Sequence, residues 1–143
     1  MSPDTLQQNK ATARRFQEEF NKRNWEGCRS LLAPDCASYQ PGAPGPLNND
    51  QFMGVGLMFA SAFPDLKVTV HEQVAEGDTV VTRMTFAGTH QHEFQGIPAT
   101  GKRIDLEGYI LDRFTEGKSV EHWAMFDVMT MMQQLGLVPA PGQ

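Results

Sequence analysis

Near Leu66 the hydrophobic period of this chain switches from helical steps to strict alternation, and that switch limits the architecture more than any other feature of the sequence. Before it, Leu6, Ala13, Phe16 and Phe20 follow one another at steps of seven, three and four, behind Asp4 and Gln7 at capping-box spacing. The pattern predicts an amphipathic helix ending near Asn24. Trp25, Cys28, Leu31 and Leu32 continue as a short second helix, which Pro34 stops because proline has no amide hydrogen for the helical ladder. Cys36 to Tyr39 reads as a short strand, and Gln40 to Asn49, with three prolines and two glycines, reads as an irregular rim loop. Phe52, Val55, Gly56, Phe59 and Phe63 predict a third helix, weakened by two glycines and closed by Pro64 and Asp65.

After the switch, Leu66, Val68 and Val70 face one way and Lys67, Thr69 and His71 the other, which predicts a strand. Glu76-Gly77-Asp78 signals a turn. Val80 to His92 follows as a long strand with Gly88 as a candidate bulge, and Gly96 to Lys102 turns the chain again. Ile104 to Thr115 and Ser119 to Val128 form a hairpin through Glu116-Gly117-Lys118, and Met129 to Leu135 adds a last helical turn ended by Gly136. Helices followed by a run of antiparallel strands define an α+β plan. The 143 residues suit one domain over 1–143, with one core and one pocket.

Several function classes are disfavoured by composition. The 12 basic residues are scattered and outnumbered by 17 acids, giving a net charge of −5, so no nucleic acid partner is expected. No run is long and apolar enough for a membrane span, and the first residues lack a leader pattern, which points to a cytoplasmic protein without membrane partners. Cys28 and Cys36 lack CxxC spacing and read as reduced, buried packing thiols. There is no GxGxxG, P-loop, GxSxG or HExxH.

Candidate chemistry concentrates in the last two strands. Side chains two apart share a face, which groups Ser119, Glu121, Trp123, Met125 and Asp127 against Val120, His122, Ala124 and Phe126. The first set is expected to line the concave side, with Trp123 as an apolar wall and Asp127 as a carboxylate whose proton affinity rises in dry surroundings. The second set is assigned to packing or a subunit contact. Arg113 shares a face with Leu111 and Tyr109 and should pair across the turn with Glu121, the two buried together. Such a pair either fixes the sheet or binds an anionic or enolate oxygen. His90 and His92 have the His-x-His spacing that metal sites use, but no third ligand stands at a readable spacing, so no metal is expected and both are read as polar cavity residues.

Ordered blocks along the chain carry a more specific signal: Ala62-Phe63-Pro64-Asp65-Leu66, Glu76-Gly77-Asp78, Gly88-Thr89-His90, Phe94 through Lys102, Arg113-Phe114, Gly117-Lys118, Glu121-His122-Trp123, Asp127 and Gln134-Leu135-Gly136. In these blocks, from Ala13 to Pro139, the chain resembles the SnoaL-like polyketide cyclases of the nuclear-transport-factor-two-like superfamily. The resemblance implies a cone-shaped α+β barrel, a strongly bent antiparallel sheet backed by three N-terminal helices around one largely apolar pocket. It also implies a homodimer formed through the outer sheet face, and an intramolecular aldol closure of a polyketide ester without metal or cofactor. Asp127 matches the acid/base position on the last strand, and His90 and Arg113 match polar pocket positions. His92 and Glu93 stand where relatives often carry small residues, implying a narrower or more polar pocket.

Within that reading the ligand is an apolar small molecule. Trp123 and Phe59 would hold it folded, and Glu121, Tyr39, Tyr109 and His92 would complete its contacts. The same fold also hosts other activities, so a non-catalytic binding protein, a dehydratase, or an isomerase using Tyr39 or Tyr109 as donor remain alternatives. Epoxide hydrolysis, which on this scaffold uses an arginine flanked by carboxylates, is disfavoured because Leu111 and Thr115 flank Arg113.

Overall fold

A computed structural model describes residues 3–139. The elements run α1 (Pro3–Asn21), α2 (Trp25–Ser30), β1 (Leu32–Tyr39), α3 (Asn49–Ala62), β2 (Lys67–Glu76), β3 (Thr79–Thr89), β4 (Arg103–Thr115), β5 (Lys118–Phe126) and α4 (Val128–Gln134). The strands make one sheet in the order β1-β5-β4-β3-β2. The α+β plan is therefore as expected, with β2 to β5 an antiparallel meander. One pairing departs from it: β1 lies parallel to β5, because the whole of α3 and the meander intervenes and supplies the long connection that parallel strands require.

Two bulges curl the sheet. The β2–β3 register slips between Val70 and Glu72, and the β4–β5 register slips where Phe114 pairs with Ser119 but Arg113 with Glu121. An extra residue on one strand raises the local twist and bends the ladder. Gly88, expected to be a bulge, is not one: the β3–β4 ladder is unbroken from Thr79–Arg113 to Thr89–Arg103. A Cβ at Gly88 would stand 3.1 Å from the Leu66 Cα, so close backbone approach accounts for that glycine. Pro34, expected to end the second helix, lies inside β1, within the stretch where the β1–β5 register shifts, so its missing N–H costs no ladder bond. The helix itself ends four residues earlier, at Ser30.

The concave face buries Val80, Met84 and Phe86 of β3 with Ile104, Leu106 and Ile110 of β4, closed at one end by Phe63 and Leu135. Two side-chain amides tie helices to strand backbone. Asn21 donates to the Val68 carbonyl and accepts from the Val68 N–H, both at 2.8 Å, which satisfies the outer edge of β2 at the point where α1 ends. Gln134 does the same for Asp105, at 2.8 and 3.0 Å, and docks α4 on β4. Among the described residues, no helix is long and apolar enough to cross a membrane.

Replacing Asn21 by Leu leaves a partly buried N–H and C=O of Val68 without partners. The expected loss is about 2–3 kcal/mol of unfolding free energy in urea titrations, with the m-value unchanged.

Candidate active site

The alternation of β4 decides which side of the sheet looks inward. Ile104, Leu106, Ile110 and Phe114 are buried, while Arg103, Asp105, Glu107, Tyr109 and Arg113 are exposed. Residues directly opposite across a ladder share a face. Ile110 pairs with Ala124 and Asp112 with His122, so the inward set of β5 is His122, Ala124 and Phe126. The inward orientation expected for Glu121, Trp123, Met125 and Asp127 is thus reversed. Periodicity alone offers both faces of β5, and the wetter set belongs outside because its β4 partners are charged or aromatic and exposed.

These inward residues help line a cavity of about 110 Å³ between the sheet and helices α1 to α3, open to solvent on one side. Phe16 and Phe20 of α1, Trp25 of α2, and Phe52 and Phe59 of α3 supply aromatic walls. Gly56 lets α3 come close, since a Cβ there would meet the Trp25 ring at 3.1 Å and the Phe20 ring at 3.3 Å. Among the described residues, the lining contains no lysine, arginine, aspartate or glutamate. Cys28 is part of the wall, but burial, reinforced by the Glu19 carboxylate, pushes its thiol up to about 12 and keeps it protonated. That removes it as a nucleophile. Cys36, also reduced and buried, is likewise raised by burial, to about 11.

His122 is the cavity's ionisable base. It is 3% exposed, its ring lies against Phe52 at 4.6 Å and Phe16 at 5.5 Å, and its Nδ1 is 2.8 Å from Asp112 Oδ1. The same carboxylate oxygen accepts from Ser119 Oγ at 2.9 Å. A hydrogen bond to an ionised carboxylate requires Nδ1 to carry a proton, and in the uncharged form of the ring Nε2 is then an acceptor. Nε2 has no hydrogen-bond partner among the described residues and is not sealed from solvent. This is the geometry of a histidine base oriented by a buried acid. The sequence reading missed it, although the Arg113–Glu121 register places Asp112 opposite His122 as the next inward pair.

The residues singled out from sequence fall into three places. Phe59 is in the cavity wall as expected. His90 is fully buried away from it: Nδ1 accepts from the Thr100 N–H at 3.2 Å and lies 3.0 Å from Thr100 Oγ1, and the ring stacks on Phe63. It pins the 90–102 segment to the end of α3, since β3 already stops at Thr89. His92 is exposed beyond the strand end and is not in the wall. No three potential metal ligands converge among the described residues.

Arg113, Glu121, Tyr109, Trp123 and Tyr39 lie on the outer face. Arg113 does meet Glu121, at 3.6 Å, but the two side chains are 44% and 39% exposed rather than buried together. Trp123 stacks on Tyr39 with ring centroids 3.6 Å apart and donates to Glu121 Oε1 at 3.1 Å. Asp127 is exposed at the end of β5, where it caps α4, with Oδ1 accepting from the Thr130 N–H at 3.0 Å and Oδ2 from Thr130 Oγ1 at 2.7 Å. Those hydrogen bonds lower its proton affinity instead of raising it.

A bent sheet, three helices over its concave side and an apolar cavity between them define a cone-shaped α+β fold. The model of the SnoaL-like polyketide cyclases matches residues 10–135, and the chain belongs to that family. IdmH of Streptomyces antibioticus, provisionally named a polyketide cyclase, is 35% identical, with a TM-score of 0.81 over 90% of this chain and 98% of that one. AclR of Streptomyces galilaeus, provisionally named a hydroxylase, is 29% identical, with a TM-score of 0.85 over 94% and 89%. A SnoaL-like protein of Jannaschia sp. CCS1 shares the fold at 23% identity and a TM-score of 0.87, over 97% and 98%. No curated protein matches the chain.

Because the folded-state affinity of Asp127 for a proton is below its ordinary value of 3.8, the cap contributes fully above that pH and is lost as pH falls through the lowered value. Asp127→Ala should melt at a lower temperature than the parent at pH 7. The gap should close as the pH is taken well below 3.8, while Asp127→Asn, which keeps an acceptor at every pH, should stay near the parent at pH 7 and melt above it at the acid end.

Proposed function

We propose that this protein is a cofactor-free acid/base enzyme of the cyclase type, in which His122, oriented by Asp112, removes a proton beside a carbonyl of a small neutral ketone or ester. The observation that carries the reading is a hydrogen-bonded histidine–aspartate pair whose histidine lines a cavity with no lysine, arginine, aspartate or glutamate among the described residues around it. Nε2 takes the α-proton, leaving an enolate. The imidazolium is balanced by the Asp112 carboxylate at 2.8 Å. The enolate carbon then attacks a second carbonyl of the folded substrate, the new bond closes a ring, and Nε2 returns the proton to the resulting alkoxide. Proton and electron pair are thus conserved without an oxidant or metal. Water exclusion by the aromatic walls strengthens each of these charge interactions. The place of the general base, assigned from sequence to Asp127, passes in this proposal to His122.

The reaction's first half can be tested on acetophenone in D₂O, by following loss of the methyl proton signal. The protein should accelerate exchange well above buffer. His122→Gln should lower the enzymatic rate by about 100-fold or more, and Asp112→Asn by a comparable factor through loss of the tautomer. Asp127→Asn should exchange normally. No acceleration by the parent protein would leave a non-catalytic binding protein as the better reading.

The same proposal includes a homodimer through the outer face. Tyr109 pairs with Met125, and Trp123 with both Leu111 and Tyr39, so the 47%, 66% and 43% exposed Tyr109, Met125 and Trp123 adjoin in one apolar patch. A second copy of the chain is the occupant proposed for it. Trp123→Lys should convert a dimer to a monomer in sedimentation, without loss of fold by circular dichroism, and a parent protein that sediments as a monomer would refute the assembly.

A further inference from the structure

Gln17 occupies a core position of α1. Ala13, Phe16, Gln17 and Phe20 stand at the i, i+3, i+4 and i+7 positions that form the buried stripe of an amphipathic helix, and Gln17 is the polar member. It is 6% exposed and lines the cavity. Its amide makes no hydrogen bond among the described residues, yet neither amide atom is sealed off from solvent. Three other polar atoms of the wall are already engaged. His122 Nδ1 is held by Asp112, Gln40 Nε2 donates to Ser38 Oγ at 2.8 Å, and Cys28 Sγ lies 3.7 Å from the Phe16 carbonyl as its donor. An amide at a buried core position, with donor and acceptor both unused by the protein, is open to whatever enters the cavity.

We infer that Gln17 is a specificity-determining residue that donates its amide N–H to a carbonyl oxygen of the ligand, and that the ligand is a neutral, single-ring-sized carbonyl compound. The inference rests on the acid/base reading above and supplies its missing half. In the uncharged ring with its proton on Nδ1, the state that acts as base, Nε2 of His122 only accepts and cannot hold a carbonyl oxygen, whereas the Gln17 amide can. A cavity of about 110 Å³ is smaller than the roughly 150 Å³ apolar void that accepts benzene in another protein, so one ring fills it and touches both walls. The rest of a larger molecule extends through the open side. With no lysine or arginine among the described lining residues, a free carboxylate or phosphate would be desolvated without a permanent positive charge to compensate it.

Equilibrium binding tests this apart from turnover. Acetophenone and α-methylstyrene have the same shape and differ by a carbonyl oxygen against a methylene, and benzoate adds the charge. Isothermal titration of the full chain should show acetophenone binding about 10-fold or more tightly than α-methylstyrene, and benzoate at pH 7 not measurably. Gln17→Met, close in size, should erase the preference, and Gln17→Leu should do the same if the first variant folds poorly by circular dichroism. In the parent protein the carbonyl stretch of bound ¹³C-labelled acetophenone should shift to lower frequency, and in Gln17→Met it should not. His122→Gln should keep the preference, so a failed proton-exchange assay with an intact preference sinks the enzymatic reading alone. A parent protein that binds neither probe, or does not distinguish them, overturns the inference, as does a preference that survives in both Gln17 variants.

Discussion

One inserted residue in the β4–β5 ladder sets up the chemistry of this molecule. On a regular strand, side chains three apart point to opposite faces. Ser119 and His122 are three apart and both donate to Asp112, which is geometrically available only because Val120 is taken up as a bulge between the pairs Phe114–Ser119 and Arg113–Glu121. The bulge thus bends the sheet and gathers the acid's two donors in a single step. Bulges beside active sites commonly re-aim side chains in this way.

Charge is sorted by the sheet. Outside, Arg83 bridges Glu72 and Glu107, and Arg113 meets Glu121, all in contact with water, where such pairs contribute little to stability. Inside, the wall is largely aromatic and aliphatic, with the Asp112 carboxylate behind His122 and the amides of Gln17 and Gln40 among its few polar groups. That contrast between a salt-bridged outer face and an uncharged inner one is what makes a single histidine chemically prominent.

Much of this was legible beforehand, at particular residues. The helical stripes, the strand alternation and the hairpin at Glu116-Gly117-Lys118 are all in place. The Arg113–Glu121 pairing was read from the turn, and its next inward neighbour, Asp112–His122, follows from the same register. The face assignment of β5 was not legible from β5 itself, where Trp123 and Met125 oppose Phe126 and Ala124 with no clear contrast in hydrophobicity. The near-perfect alternation of β4, from Ile104 to Phe114, is the signal that would have settled it. Asp127 misled for a different reason: the residue that ends a strand before a helix is well placed to cap that helix, and a capping carboxylate is satisfied locally by Thr130.

By itself the amino-acid sequence determined the order and kind of the elements, because periodicity and turn residues act over short stretches of chain. It also determined membership of the SnoaL-like family. Tertiary structure alone decided which face of the last strand meets the cavity, that β1 joins it in parallel, and that Gln17, Trp25 and His122 look into the same space. Those facts depend on where a bulge falls and on which helix covers which strand, and both are settled by packing between residues far apart in the chain.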